Sequence, residues 1–289
     1  MHNAISSTRA HRQLILVGDH NQLGPIVKSN VALTAKLDVS LMERLYCSSD
    51  VYKFSSEMGD YNPAAITMLR ICYRCHTAIL EQPKVIFYES NLRCEAKVDR
   101  EMLNCNLLVV KNFPIIFHGI NGSEERDYGS PSWFNSDEVE IVVHYVQKLL
   151  EESNISVRGE DIGVIAPYQK QVKKIKHALL LAGKHNSEYE SVLVGSCEQF
   201  QGKERRVIII STVRSSSFNE LYEDKQQQNH LGFLTNPKRF NVAITRAKAL
   251  LIIVGDPSTL DKDSNWKKMI QYCVDQNVYQ GQSKGSYSL

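Results

Sequence analysis

The C-terminal half of the chain alternates short apolar runs with stretches in which apolar residues recur every three or four positions. The runs are rich in β-branched residues, which is typical of parallel strands buried on both faces. They cover residues 162–166, 192–194, 207–211 and 250–254. The periodic stretches predict helices. These cover residues 138–150, 169–181 and 236–248. Asn135 is the predicted cap of the first of them. The alternation predicts an α/β fold whose parallel sheet carries helices on both faces.

The remainder of the chain is less regular. Residues 40–45 predict a short helix, and residues 90–135 predict an irregular insertion around a strand at 115–118. A polar stretch at 217–229 predicts a long loop.

Two segments of the chain are similar in sequence. Residues 14–19 (LILVGD) and 251–256 (LIIVGD) both predict a buried strand that ends in Gly-Asp. Either two unrelated strands enter similar turns, or the chain contains parts of two related α/β halves.

Composition narrows the class of protein. The formal net charge is only +2, so charge alone does not argue for a nucleic-acid partner. No apolar run approaches the roughly 18 residues of a membrane span, and Met1 precedes polar residues, so membrane-spanning and secreted proteins are not expected. Seven scattered cysteines favour a reducing compartment over a disulfide framework.

Ligand sites of parallel α/β sheets gather at the carboxyl ends of the strands. That rule places Pro167, Tyr168 and Ser196 along one rim. Just beyond, Lys170 and Lys173 belong to a lysine-rich helix that begins beside an exposed Tyr168. A basic strip next to an exposed aromatic ring is typical of single-stranded nucleic-acid binding, although most charge runs are simply solvated surface.

Two N-terminal segments carry candidate phosphate contacts. Residues 18–25 (GDHNQLGP) follow the first predicted strand and place the Gln22 amide in a strand-end loop. Residues 69–76 (LRICYRCH) contain Arg74, a planar cation suited to phosphate oxygens. The same segment contains Cys-x-x-Cys-His, the form of a c-type haem attachment site. We reject haem, and also zinc, because the exported context, an axial ligand and a second close cysteine pair are all absent from the sequence.

Two C-terminal segments complete the set. Residues 199–204 (QFQGKE) offer Gly202 for close backbone approach and Glu204 as an acceptor for sugar hydroxyls. Residues 236–248 carry Arg239 and Arg246, which are seven positions apart and would share one helix face. Either segment alone would be read as ordinary structure.

Taken in order, these segments resemble the later motifs of Upf-like superfamily 1 RNA helicases, most closely the Mov-ten/Armitage branch. The resemblance covers residues 18–25, 73–76, 167–171, 199–204 and 241–248. It implies that Gln22 senses the γ-phosphate of ATP, and that Arg74 and Arg246 contact it, Arg246 as an arginine finger. Tyr73, Gly202, Glu204 and Arg239 would border the nucleotide, and Pro167, Tyr168, Lys170, Lys173 and Ser196 would line single-stranded RNA.

One departure from the family is large. Residues 1–289 contain no Gly-x-x-x-x-Gly-Lys-Ser/Thr loop and no Asp-Glu-Ala-type metal motif. We therefore expect the remnant of a first RecA-like domain at 1–63 and a second RecA-like domain at 64–289. ATP would be shared, with Mg²⁺ held by the missing domain. We expect a fragment or short isoform of a cytoplasmic, granule-associated 5′–3′ RNA helicase that works with small-RNA silencing proteins; the alternative is a non-catalytic RNA-binding module.

Overall fold

A computed structural model describes residues 14–215 and 232–282. The predicted loop at 217–229 lies outside these described residues. Two compact units can be distinguished. The described residues of the first are 14–20 and 24–68, and those of the second are 21–23, 69–215 and 232–282.

The first unit is small, and the two α-helices among its described residues are short. It contains helix α1 (Asn30–Thr34) and helix α2 (Leu41–Ser48), the second of which confirms the helix predicted at 40–45. Ser40 caps α2 by accepting a hydrogen bond from the Glu43 backbone N–H at 3.1 Å. The strand predicted at residues 14–17 is wrong: these residues form no strand and are exposed. A buried strand needs neighbouring strands, and none among the described residues pairs with this segment.

A six-stranded, wholly parallel sheet forms the centre of the second unit as far as it is described. The strands are β3 (Ile115–Gly119), β6 (Ile162–Ile165), β7 (Leu193–Gly195), β8 (Arg205–Ser211), β9 (Ala247–Gly255) and β10 (Tyr279–Gly281). Their order across the sheet is β10-β3-β9-β8-β6-β7. Four of them confirm the predicted apolar runs. The parallel α/β class is therefore confirmed.

Short strands lie outside this sheet. Strands β1 (Ile71–Cys72) and β2 (Arg93–Cys94) form a parallel pair, and β4 (Glu124–Arg126) and β5 (Trp133–Asn135) form an antiparallel hairpin. Strand β3 confirms the strand predicted at 115–118, but the expectation that residues 90–135 are only an insertion is wrong. Strand β3 lies between β10 and β9 and is fully buried at Ile115, Ile116 and Phe117, so this segment supplies a core strand.

Helices cover both faces of the sheet. They are α3 (Thr77–Phe87), α4 (Arg100–Leu103), α5 (Ser136–Glu151), α6 (Gln169–Ala182), α7 (Glu188–Ser191), α8 (Pro237–Ile244), α9 (Pro257–Leu260) and α10 (Ser264–Asp275). Alternate residues of β8 serve opposite faces: Ile208 and Ile210 pack with α3, α8 and α10, whereas Val207 and Ile209 pack with α5 and α6. This two-sided burial explains why the strands are apolar throughout.

Helix boundaries agree with the sequence in two cases and differ in a third. Helices α5 and α6 confirm the predictions at 138–150 and 169–181, and Asn135 caps α5 through the Glu138 backbone N–H at 3.1 Å. The helix predicted at 236–248 ends at Ile244, and Ala247 begins β9. The apolar pattern continues across this boundary because the strand is buried on both faces, so periodicity alone missed the change.

Candidate nucleotide and nucleic-acid site

Arg74 lies in a bend between β1 and α3, and its side chain points to a residue 130 positions later in the chain. Its Nε donates a short hydrogen bond to Glu204 Oε2, and its Nη1 donates to the Thr245 carbonyl oxygen at 3.5 Å. The connection between β1 and α3 thus places the guanidinium of Arg74 against the loop before β8 and the end of α8.

Glu204 is the acidic partner of two cations. Its other carboxylate oxygen lies 3.6 Å from Lys248 Nζ at the start of β9. The hydrogen bond and charge of Arg74, with a smaller contribution from Lys248, hold the pKa of Glu204 below its usual value. Glu204 therefore stays ionised and neutralises Arg74. Its expected contact with a sugar hydroxyl remains a prediction.

Arg246 is buried, with 2% of its surface exposed, and it follows α8 instead of lying on it. Its guanidinium donates to the Val242 carbonyl at 3.1 Å, the Lys203 carbonyl at 3.4 Å and the Thr245 hydroxyl at 3.1 Å. Burial and the nearby charge of Arg74 lower the pKa of Arg246. Within the described part of the chain, no carboxylate forms an ion pair with it.

The side chain of Arg239 has a different partner from those of Arg74 and Arg246. Arg239 lies within α8, and its Nε donates to Glu198 Oε1 at 2.8 Å. The expectation that Arg239 and Arg246 project from one face of a single helix is therefore wrong, because the helix ends between them at Ile244. Arg246 instead joins Arg74 and Glu204, whose charges both influence it.

Gly202 occupies a backbone conformation that favours glycine. Its φ is +76°, and a Cβ built on it would meet no heavy atom within 4 Å. The glycine thus satisfies the turn between residues 200 and 203 and leaves the space beside its Cα open. Tyr73, which was expected to border the nucleotide, is exposed over 70% of its surface.

The loop that contains Gln22 is connected to α8. The Asn241 side chain donates to the backbone carbonyl of Asn21 and to the Tyr88 hydroxyl, both at 2.9 Å. Gln22 follows directly and is half-buried. Asn241 Oδ1 is buried without a hydrogen-bond partner among the described residues. The structure thus brings the Gln22 loop to the helix that precedes Arg246.

The strand-end rim contains the predicted RNA contacts, with one correction. Ile165 pairs with Gly195, so Pro167 and Ser196 follow at the same edge of the sheet. Lys173 is exposed, and Lys170 lies 2.5 Å from Asp127 of the hairpin loop. Tyr168, however, is only 4% exposed. The expectation of an exposed ring there is wrong, because the tyrosine is covered by tertiary contacts.

Sequence reasoning missed a buried polar network behind this rim. Glu138 of α5 is fully buried and accepts hydrogen bonds from Ser211 Oγ at 2.6 Å, Thr212 Oγ1 at 3.4 Å and the Val213 N–H at 2.9 Å. Val213 has a φ of +74°, an uncommon conformation for a β-branched residue. An acidic residue on the apolar face of α5 was the available signal.

Arg214 extends the network to the hairpin. It forms a two-pronged ion pair with Glu124 at 2.6 and 3.1 Å, and donates to the Tyr168 hydroxyl at 3.3 Å. The guanidinium carbons of Arg126 and Arg214 lie 4.8 and 4.7 Å from the ring centroid of Trp133, within cation–π distance. These contacts bury Tyr168 and fix the chain that leaves β8.

Comparison with known proteins identifies the family of this chain. A family model described as an AAA domain matches residues 37–258, which include Arg74, Glu204 and Arg246. The chain belongs to this family. The AAA domain matched here is the C-terminal region of Upf1-like superfamily 1 helicases, so the recognition made from the sequence motifs is confirmed.

Three curated relatives show the same affiliation. The "Putative helicase MOV-10" of Gallus gallus is 44% identical over 280 residues, covering 93% of this chain and 28% of that protein. The "RNA helicase Mov10l1" of Mus musculus is 43% identical over 93% of this chain and 22% of its own length. The "Probable RNA helicase armi" of Drosophila melanogaster is 36% identical over 95% and 23%. The chain thus spans about a quarter of the length of these relatives.

Two features are missing from the residues that the structure describes. No helix there combines the length and apolarity that crossing a bilayer requires. In the same ranges, no cluster of three or more histidine, cysteine or acidic side chains is arranged to hold a metal ion.

Proposed function

We propose that this AAA domain chain supplies the second half of the ATP site of an RNA helicase, with Arg246 as its arginine finger. The observation that supports the proposal is the burial of Arg246 beside a second guanidinium, without a carboxylate in ion-pair contact. A buried charge is costly unless an opposite charge compensates it. A polyphosphate supplies that charge, and a finger arginine raises the hydrolysis rate by roughly 10³–10⁵-fold.

The neighbouring residues fit supporting roles. Arg74 is held by Glu204 within reach of the same anion, and Gln22 is positioned through the contact of Asn21 with Asn241. Exposed Tyr73 offers a ring for stacking, and the open face of Gly202 lets a ligand approach the backbone. Arg239, paired with Glu198, borders this group.

The remainder of the ATP site would come from outside these residues. The chain contains no phosphate loop and no acidic metal motif, so the lysine and the Mg²⁺ ligands would belong to a first RecA-like domain. We propose that residues 1–63 are the end of that domain and that residues 64–289 form the second RecA-like domain.

The strand-end rim would face single-stranded RNA. Pro167 and Ser196 lie at adjacent strand ends, and Lys170 and Lys173 begin the basic helix beside them. Tyr168 contributes by packing under Arg214, not by stacking on a base. From the Mov-ten/Armitage resemblance we further propose 5′–3′ translocation, small-RNA silencing partners and a place in cytoplasmic granules.

Mutation of Arg246 tests the proposal in a longer protein in which a phosphate-loop domain precedes this chain. Arg246→Lys retains charge but loses the planar donor set, and should reduce RNA-stimulated ATP hydrolysis by roughly 10³-fold or more with RNA affinity unchanged. Arg206→Lys is the control, since Arg206 binds Asp99 elsewhere. Near-normal hydrolysis by Arg246→Lys would contradict the finger role. RNA-stimulated hydrolysis by residues 1–289 alone would contradict the half-site.

A further inference from the structure

Residues 21–23 belong to the second compact unit, although the chain on either side of them belongs to the first. Asn21 is fixed there at two points. Its Nδ2 donates to the carbonyl oxygen of Phe87, the last residue of α3, at 2.7 Å. Its own carbonyl oxygen accepts a hydrogen bond from Asn241 Nδ2 of α8 at 2.9 Å. The residue that directly precedes Gln22 is thus held by two helices of the second unit.

The hydrogen bond from Asn241 acts on the peptide group that leads into Gln22. The carbonyl oxygen of Asn21 and the backbone N–H of Gln22 belong to one planar unit, because the peptide bond between them does not rotate freely. Fixing that oxygen therefore fixes the plane from which the side chain of Gln22 departs. The bond from Asn21 Nδ2 restrains the preceding residue as well.

The backbone carbonyl of the same asparagine connects to Arg246. Thr245 Oγ1 donates to the Asn241 carbonyl oxygen at 2.6 Å, and Arg246 Nη2 donates to Thr245 Oγ1 at 3.1 Å. A hydroxyl group has one hydrogen to donate and lone pairs that accept, so the two bonds are compatible. Asn241 is therefore linked to the Gln22 peptide through its side chain, and to Arg246 through its carbonyl oxygen and Thr245.

The burial of Asn241 indicates why this position carries an amide. The residue is fully buried, and its Oδ1 has no hydrogen-bond partner among the described residues. An unsatisfied buried acceptor destabilises a fold, and leucine, which has nearly the same shape, would avoid that effect. Both hydrogens of Nδ2 are used, one by the Asn21 carbonyl and one by the Tyr88 hydroxyl. The two donated bonds account for an amide that is otherwise unfavourable here.

We propose that Asn241 is a positioning residue for ATP hydrolysis, which holds Gln22 and Arg246 in a fixed arrangement relative to each other. The inference rests on the proposed function, in which both of these residues meet the γ-phosphate. A displacement of about 1 Å at a reacting group can reduce a rate roughly 100-fold, so a buried residue that restrains both groups controls the rate through them. Asn241 itself has no contact with ATP in this assignment.

Asn241→Leu tests the side-chain link in the longer protein in which a phosphate-loop domain precedes this chain. The substitution removes the bond to the Asn21 carbonyl and keeps the backbone carbonyl that binds Thr245. The kcat of RNA-stimulated ATP hydrolysis should fall roughly 10- to 100-fold, whereas the KM for ATP and the affinity for RNA should change less than about twofold. Thermal unfolding followed by circular dichroism should show that the variant is folded at the assay temperature.

The chain offers a matched control. Asn154 Nδ2 donates to the Asn104 carbonyl oxygen at 2.8 Å, which is the same kind of bond elsewhere in the second unit. Asn154→Leu should therefore keep kcat within about twofold of the wild type. Asn21→Ala removes the bond to Phe87 and should lower kcat with an unchanged KM. This second variant decides the test if Asn241→Leu does not fold.

A measurement on the 289-residue chain does not depend on ATP. Hydrogen–deuterium exchange of the backbone amides of residues 21–24 reports how often this segment opens. Loss of one hydrogen bond in Asn241→Leu should raise that exchange rate by roughly 2- to 12-fold, and Asn154→Leu should not change it. Thr245→Val removes only the hydroxyl between Asn241 and Arg246, so it should lower kcat and leave exchange at 21–24 unchanged.

The outcomes separate this inference from the proposed function. Unchanged exchange at 21–24 in Asn241→Leu, or faster exchange with a normal kcat, would overturn the link to Gln22, and a normal kcat in Thr245→Val would overturn the link to Arg246. If Arg246→Lys loses roughly 10³-fold in the same assay while both variants keep their kcat, the finger assignment stands and only the positioning role fails. If Arg246→Lys hydrolyses ATP normally, the proposed function fails and the positioning role fails with it.

Discussion

Removal of the Glu138 carboxyl group tests whether it holds the chain beyond β8. In Glu138→Ala the Val213 N–H loses a bond at 2.9 Å, and the Ser211 and Thr212 hydroxyls lose an acceptor. An unsatisfied buried N–H costs about 1–3 kcal/mol, and each lost hydroxyl bond costs about 0.5–1.5 kcal/mol. Relief of the strain at Val213 returns about 1–3 kcal/mol. We expect a loss of about 2 kcal/mol in the free energy of unfolding.

The pH dependence gives a sharper test. Burial raises the pKa of Glu138 from 4.5 to about 8, and the hydrogen bonds from Ser211 and Val213 offset this only in part. Below pH 4.5 both folded and unfolded chains hold the proton; between there and pH 8 only the folded chain does. The free energy of unfolding therefore falls by about 1.4 kcal/mol per pH unit across this window. The stability that protonated Glu138 contributes is lost once the pH rises through the folded pKa.

Glu138→Gln isolates this effect because it keeps the shape and a carbonyl acceptor for Val213 but cannot ionise. Urea denaturation, followed by tryptophan fluorescence and circular dichroism, would be measured at about pH 5.5 and 7.5 for both proteins. The wild type should lose roughly 3 kcal/mol more than Glu138→Gln between these two values. An equal loss in the two proteins would refute the reasoning that Glu138 folds as a neutral acid.

Two further predictions concern the ligand surfaces. Gly202→Ala should cost about 1–2 kcal/mol in urea denaturation, because φ is +76° but no atom obstructs the Cβ; Gly129→Ala, at +72° and equally open, should cost the same. Only the Gly202 variant should weaken nucleotide binding in the longer protein, and a similar effect at Gly129 would contradict its role. Lys173→Glu should lower the salt slope of single-stranded RNA binding by about 1, whereas Lys184→Glu, on exposed chain beyond α6, should leave it unchanged. Equal salt slopes in the wild type and Lys173→Glu would contradict a contact between Lys173 and an RNA phosphate.

The sequence predicted the sheet well because burial on both faces leaves a strong local signal. Four strands and helices α5 and α6 were read from apolar runs and helical periodicity. The predictions of secondary structure failed where it depends on residues that are distant in the sequence. The apolar run at 14–17 is a strand only if partners pair with it, and the boundary after Ile244 lies inside a continuous apolar pattern.

Motif order in the sequence determined the family and its candidate residues, because each residue type carries its chemistry wherever it lies. Only the tertiary structure decided which residues meet. It joined Arg74 to Glu204 across 130 positions, separated Arg239 from Arg246, and buried Tyr168 under Arg214. The reason is physical: periodicity reports which face of an element is buried, whereas ion pairs and buried polar networks depend on the packing of distant elements.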